Sequence, residues 1–371
     1  MDAWAEIKMN NIAWNLDIIR GFIDDDVRVC GVIKGDAYGH GLPGFLDAVS
    51  RRSLLDMAAV GRTTELVQAF TECLEEGPDL LLLGRVETRE IEELLKEKKI
   101  RPEKTIFSLY HPGQLSELEA LGEKTGVCIR IHIRTDSWDS GMGMEYREFL
   151  AWEDRIFRME HLDVCGLYSH MYSSYSDSIE DIRREMERFD AMVRRIRPEH
   201  RRKLTIHLLN SPLIFRFPEY AYDMVRTGSS MYGFNCGNPR TRLAMRICAR
   251  VVDVREVPSE ALLSYAMERS GGQRRRIARL MLGYWDCPLL LTQKNVRARI
   301  NGRLYPLADH ICMDSMCLDI TDGEGISTGD LAVLLGEPGV TEEEIFIRSE
   351  IPRIHGESVC MTAQRLVKRY I

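Results

Sequence analysis

The chain has 371 residues, 44% of them hydrophobic and 29% charged, with a formal net charge of −7. That length suits two domains, each with a substantial core, and the acidic balance argues against a general polyanion-binding surface, so nucleic acid is not an expected partner. The opening MDAWAEIKMNNIAWNL has no charged leader followed by an apolar stretch, and no segment approaches the roughly 18 apolar residues of a membrane span, which points to a cytoplasmic protein without a membrane partner. Ten cysteines without a CxxC pair read as reduced, buried small hydrophobes, with Cys128, Cys165 and Cys248 inside apolar runs. No zinc pattern is visible, and basic runs such as Arg274 to Arg276 read as solvated.

Eight short, β-branched or apolar runs begin at Val27, Leu55, Asp79, Thr105, Val127, Val164, Thr205 and Asp223. Longer amphipathic stretches separate them, the rhythm of βα units around a parallel sheet, and eight such units close a (β/α)8 barrel. The clearest helix spans Ser178 to Arg197, opening with acidic residues and ending in arginines as the helix dipole favours. After residue 238 the texture changes to long strand-like runs from Ala244, Arg276 and Val296, the last carrying an Asn301-Gly302 hairpin turn. The expected fold is α/β, a TIM-like barrel over 10–238 followed by a mostly β domain over 239–371 that also takes a strand from 1–9.

In such a barrel, ligand chemistry collects at the carboxyl ends of the strands, where the loops converge. Lys34 falls at the end of the first barrel strand, His170 at the sixth, Asn210 and Ser211 at the seventh, and Arg226 with Gly228 at the eighth. Lys34 stands in VIKGDAYGHG, where an apolar strand meets a tight turn carrying Gly35, Gly39 and Gly41. An amine in a partly desolvated mouth of this kind is suited to imine formation.

Lysine followed by Asp-Ala-Tyr-Gly-His-Gly resembles the cofactor-binding motif of the alanine racemase family. The resemblance runs on through AWAEI, LYSHM around His170, HLLNS ending at Ser211, MVRTGSSMYG around Arg226, LGY ending at Tyr284 and CMD ending at Asp314. It implies pyridoxal 5'-phosphate as cofactor, a small amino acid as substrate, and a head-to-tail homodimer with shared active sites. Racemisation removes the Cα proton on one face and returns it on the other, so two acid/base groups must flank the substrate. By resemblance these are Lys34 and Tyr284 of the partner subunit, a phenol that needs positive charge nearby to act as a base. The same resemblance directs Arg226 at the ring nitrogen, which disfavours the long-lived carbanion of related decarboxylases. It sets His170 beside the ring, gathers Tyr38, Ser211, Gly228 and Ser229 around the phosphate and adds Asn210 to the cofactor's contacts. Met313 and Arg134 are the expected substrate contacts.

The substrate side departs from the family. The family's DTGMxRxG stretch, with a lysine two residues before its aspartate, reads HIRTDSWDSGMGM here. Aligned through His132, the lysine becomes Arg134 and the substrate-binding arginine becomes Gly141; aligned through Asp139 to Gly143, they become Ser137 and Met144. GYADG reads GYWDC with Trp285 and Cys287, GRxCMD reads DHICMD with Asp309 and His310, and SYE reads HGE with Gly356. Arg134 and His310 are the candidate replacements for the lost cation. The expected function is racemisation of alanine or a related small amino acid. The altered carboxylate site also fits a changed reaction on the same cofactor (decarboxylation, aldol cleavage or elimination) or a non-catalytic cofactor-binding paralogue.

Overall fold

The computed structural model describes residues 2–73, 77–136, 141–234, 238–258, 261, 263, 274–292, 295–341, 344, 360 and 365–371. The barrel strands are β2 (Arg28–Val32), β3 (Met57–Val60), β4 (Asp79–Leu82), β5 (Thr105–Leu109), β6 (Ile129–Arg134), β7 (Leu162–Tyr168), β8 (Thr205–His207) and β9 (Met224–Thr227), after a first strand β1 (Ala3–Ile7) that belongs elsewhere. All eight expected barrel strands are present and pair in parallel in the order β8-β7-β6-β5-β4-β3-β2-β9. Between β8 and β9 the ring is closed by single bonds, Asp223 N–H to the Ile206 carbonyl and Arg226 N–H to the Leu209 carbonyl, each 3.0 Å.

Strands buried on both faces explain why these segments read as continuous apolar runs. One face of β2, β3 and β4 (Val29, Ala58, Val60, Leu80, Leu82) packs against the helices. The other face packs inside the barrel through Cys30, Val32, Met57, Ala59 and Leu81. Opposite this apolar half, the interior is polar and fully buried, with His132, His207 and Arg226. Gly166 makes room for His132, because a Cβ there would collide with its ring.

The second sheet contains β10 (Met245–Val257), β11 (Arg275–Leu280), β12 (Arg297–Ile300), β13 (Arg303–Pro306), β14 (Met316–Asp319), β15 (Leu331–Leu335) and β16 (Val367–Tyr370). Its order is β13-β12-β15-β10-β1-β16, with β11 joining β10 to β14. The long β10 serves two neighbourhoods through an irregularity between Val251 and Asp253. The expected hairpin is present, with Asn301 and Gly302 both at positive φ, 48° and 82°.

Three sequence expectations are corrected. The helix opened by Ser178, whose hydroxyl accepts from Asp181 N–H, runs Ile179–Val193 and stops short of Arg197. Pro198 holds Arg197 extended (φ −59°, ψ 138°), so the helix cannot continue through it. Cys128 is exposed, since it lies in the turn between a helix and β6, whereas Cys165 is partly buried and Cys248 buried. Arg275 and Arg276 are not simply solvated: they donate to the carbonyls of Ala308, Gly323 and Ile326.

Candidate active site

Lys34 follows β2 and opens an unusual turn. Gly35, Asp36, Ala37, Tyr38 and Gly39 are consecutively left-handed, with φ of 66°, 55°, 53°, 53° and 78°. Each non-glycine residue in that region costs on the order of 1–2 kcal/mol, so the turn persists only because its surroundings over-determine it. Glu65 ties it to the segment after β3, accepting from Gly35 N–H (2.6 Å) on one carboxylate oxygen and from Gly61 and Arg62 N–H on the other. Asp36 accepts from Leu42 N–H at 2.7 Å. From the second sheet, Tyr370 donates into the His40 and Gly41 carbonyls. Tyr38 and His40 both stack on the buried Tyr232, with centroids at 5.0 and 4.4 Å. The β domain therefore braces the lysine turn, a role the sequence did not suggest. Contrary to expectation, the Lys34 side chain is exposed in the single chain.

Lys34 lines a cavity of about 780 Å³ at the carboxyl ends of the strands, together with Tyr38, Arg134, His170, Asn210, Ser211, Arg226, Gly228 and Ser229. That volume suits a cofactor-sized ligand plus a small substrate. Along one wall, the Ser211 hydroxyl accepts from Gly228 N–H (3.0 Å) and Ser230 N–H (3.2 Å), which leaves its own proton to donate. A Cβ on Gly228 would stand 2.7 Å from the Tyr38 hydroxyl, so glycine keeps this wall open. Asn210 donates to Ser174 at 2.9 Å while its amide oxygen is buried without a partner.

Arg226 lies inside β9, fully wrapped. One terminal nitrogen donates to His207 Nδ1 (2.7 Å) and the His207 carbonyl (3.0 Å), the other to the Ser169 and Leu208 carbonyls. Four of its five donors are spent, and Nε–H is left without a partner among the described residues. Burial lowers its pKa to about 10, which keeps it charged at neutral pH. Because arginine only donates, His207 Nδ1 must accept; His207 Nε2–H then donates to His132 Nδ1 at 3.0 Å. Burial, reinforced by neighbouring arginines, pushes His132 down to about 3 and His207 well below the ordinary imidazole value, so both are neutral. His170 is likewise lowered to about 3, by burial first and then by Arg226, Arg134 and Lys34. His132 carries no motif of its own in the sequence. Its place on the same face of β6 as Arg134, two residues apart, was the available signal for both.

Arg134 ends β6 and donates to the Tyr110 and Tyr172 hydroxyls at 2.8 and 2.9 Å. Neither residue aligned with the family arginine supplies a cation: Gly141 is left-handed with open space around it, and Met144 is buried and bridged to Thr135. Ser137, Asp139, Ser140 and Gly356 lie outside the described residues.

Tyr284 and Met313 do not line this cavity within one chain. They sit on two loops of the β part, paired through Tyr284 N–H to the Cys312 carbonyl and Trp285 N–H to the Met313 carbonyl, each 3.1 Å. Arg365 staples the pair by reaching Asp286 and Asp314. The loops present Trp285 and Met313 to solvent, 56% and 50% exposed, while Cys287 is buried. His310, hydrogen-bonded through its backbone to Asp309, is exposed on the same part and absent from the cavity.

The sequence profile of the alanine racemase N-terminal domain matches residues 7–236, and that of the alanine racemase C-terminal domain matches residues 244–370. The chain belongs to the alanine racemase family. Among the family's curated members, the alanine racemase of Clostridium novyi is 29% identical, over 99% of this chain and 95% of the relative. The alanine racemase of Clostridium difficile 630 superposes with a TM-score of 0.89 at 25% identity, covering 100% of this chain and 96% of the other. The structure of the Bartonella henselae enzyme, with covalently bound pyridoxal phosphate, shares the fold at a TM-score of 0.82 and 20% identity, each chain fully covered. Among the described residues no group of three or more metal-binding side chains occurs, and no helix is long and apolar enough to cross a membrane.

Proposed function

We propose that the chain is a pyridoxal-phosphate-dependent racemase of alanine or a closely related small amino acid, acting in the cytoplasm as a homodimer whose barrel (10–238) binds the cofactor and whose β domain (239–371, with 1–9) faces the partner. The observation that carries this reading is the convergence on one cavity of Lys34, on its over-determined turn, and Arg226, with a single donor left. The cavity fits the cofactor: its glycine wall, which a Cβ would fill, and the free Ser211 proton suit a phosphate, and Nε–H of Arg226 suits a ring nitrogen.

Pyridoxal phosphate, when bound, supplies an electron sink that acidifies the Cα–H of an attached amino acid. Lys34 is the residue that would hold it covalently. Tyr38, Asn210, Ser211, Gly228 and Ser229 would surround its phosphate, with His170, kept neutral by burial, beside the ring. By donating a hydrogen bond, Arg226 would keep the ring nitrogen unprotonated. Its carbonyl cage and the two neutral histidines behind it hold the guanidinium in place. Lys34 then moves the Cα proton on one face of the substrate and Tyr284 of the partner subunit on the other, with the partner's Met313 against the substrate. The exposure of Trp285 and Met313 beside Tyr284 supports a face that a second copy covers.

The test is to incubate the purified holoenzyme with single L-amino acids in D2O and follow Cα–H by NMR and enantiomer composition by chiral chromatography. Exchange accompanied by the D-enantiomer supports racemisation. Exchange without it, or release of CO2, transfers the chain to a changed reaction, and absence of exchange with every amino acid refutes an enzymatic role.

A further inference from the structure

We infer that Arg134 and Tyr172 together form the site for the substrate's α-carboxylate, an inference that rests on the amino-acid reading of this cavity. Both side chains line the cavity with Lys34.

The Tyr110 hydroxyl donates to the Leu83 carbonyl, so its oxygen can only accept from Arg134. Arg134 also lies against the Tyr110 ring, 5.0 Å from its centroid, and is thereby fixed on its inner side. Among the described residues Tyr172 has no such carbonyl. Its oxygen accepts from Arg134 while its own proton stays available, in a side chain 44% exposed. Arg134 uses two of five N–H groups on these tyrosines, and no carboxylate among the described residues pairs with it. A charged fork and a phenolic O–H meet at one point, which is the donor set for a carboxylate.

Charge points the same way. Arg226, Arg134 and Lys34 all act on His170. Glu65, an acid in the cavity lining, is committed to backbone N–H groups through both oxygens. The mouth thus keeps a surplus of positive charge that an anionic substrate group would balance.

Tyr172 is also held for the task. The fully buried Glu185 accepts from Tyr172 N–H (3.2 Å) and from both Ser173 N–H (3.0 Å) and the Ser173 hydroxyl (2.5 Å), anchoring the 3-10 turn Tyr172–Tyr175 to the helix that follows. The Tyr172 ring stands edge-on to His170, centroids 5.2 Å apart at 85°. One side chain therefore links the arginine to the histidine at the mouth. Tyr172 acts with Arg134 at a strand end, so the cation sits on a rigid element rather than on the loop after β6.

The experiment compares Tyr172→Phe, Arg134→Lys and Arg134→Gln as holoenzymes, reading KM and kcat for alanine and, independently of turnover, calorimetric binding of propionate. Losing one charge-assisted hydrogen bond should weaken binding roughly 10- to 100-fold. Tyr172→Phe is expected to raise KM and the propionate Kd at the low end of that range with kcat changed less. Arg134→Gln should exceed it, and Arg134→Lys should fall between, since it keeps charge but loses the fork. The exposed Tyr172 variant keeps the test valid if the arginine variants fold poorly. Unchanged KM and propionate binding in Tyr172→Phe and Arg134→Gln would overturn the inference while leaving racemisation intact. A wild-type chain that binds propionate through Arg134 yet exchanges no amino acid would support the carboxylate site and sink the racemase reading instead.

Discussion

The wall of the cavity from Lys34 to Gly228 is braced from three directions, by Glu65, by Tyr370 of the second sheet and by the Ser211 hydroxyl, whereas the wall from Arg134 to Tyr175 rests on exposed tyrosines and one buried carboxylate. The first wall keeps the family's motif residues, whereas the second keeps the stretch around His170 but departs from the family at Arg134. The difference has a physical reason. Groups that would hold a cofactor tolerate little displacement, and their bracing consumes most of their donors and acceptors, so a single substitution strands several partners. Groups that meet a substrate need only supply a charge and a shape, which another strand end can deliver.

The strongest way to break this comparison is Lys34→Ala. Racemisation should fall by roughly 10³-fold or more. Borohydride followed by mass spectrometry should add the cofactor's mass to the Lys34 peptide of the wild type and to no peptide of the variant. Tyr284→Phe should cost roughly 10²- to 10⁴-fold in racemisation, because only one face retains a proton-transfer group. Solvent exchange from one enantiomer should survive that change better than exchange from the other, as NMR in D2O would reveal. Gly228→Ala sharpens the comparison on the cofactor side: the new methyl meets the Tyr38 hydroxyl, and overpacking of that kind costs about 1–3 kcal/mol, so the cofactor Kd measured by fluorescence titration should rise by roughly tenfold.

The gentlest probe is pH. Burial lowers His40 to about 4 and His132 and His170 to about 3, with His207 also well down. The unfolded chain binds these protons first, so the stability they confer is complete above the ordinary imidazole value of about 6.5 and is lost as pH falls toward 4. Urea midpoints should decline from pH 7 to pH 5, with Arg226 and its histidines as the weak point of the braced wall.

The same division governs what was legible in the sequence. The eight barrel strands were readable because burial on both faces writes them as apolar runs, and Lys34 because its turn carries a dense, specific motif. Glu65 and Glu185 were not readable: a carboxylate that accepts backbone N–H groups looks like any surface acid until the fold places it, 30 residues from Gly35 in one case. Tyr110 and Tyr172 meet Arg134 across separations of 24 and 38 residues, with no local pattern to join them. The pairing of the Tyr284 and Met313 loops, stapled by Arg365, was equally hidden. Arg134 was visible as a departure, but its hold on two tyrosines required the barrel.

A site shared between two copies is tested most directly by complementation. Lys34→Ala and Tyr284→Phe chains, each nearly inactive alone, are unfolded, mixed in equal amounts and refolded with cofactor, and mixed dimers are counted by native mass spectrometry. If Tyr284 serves the partner's Lys34, half the dimers are mixed and each carries one intact site, so racemisation should return to about a quarter of the wild-type rate per chain. Mixed dimers that form and stay inactive would contradict the shared site.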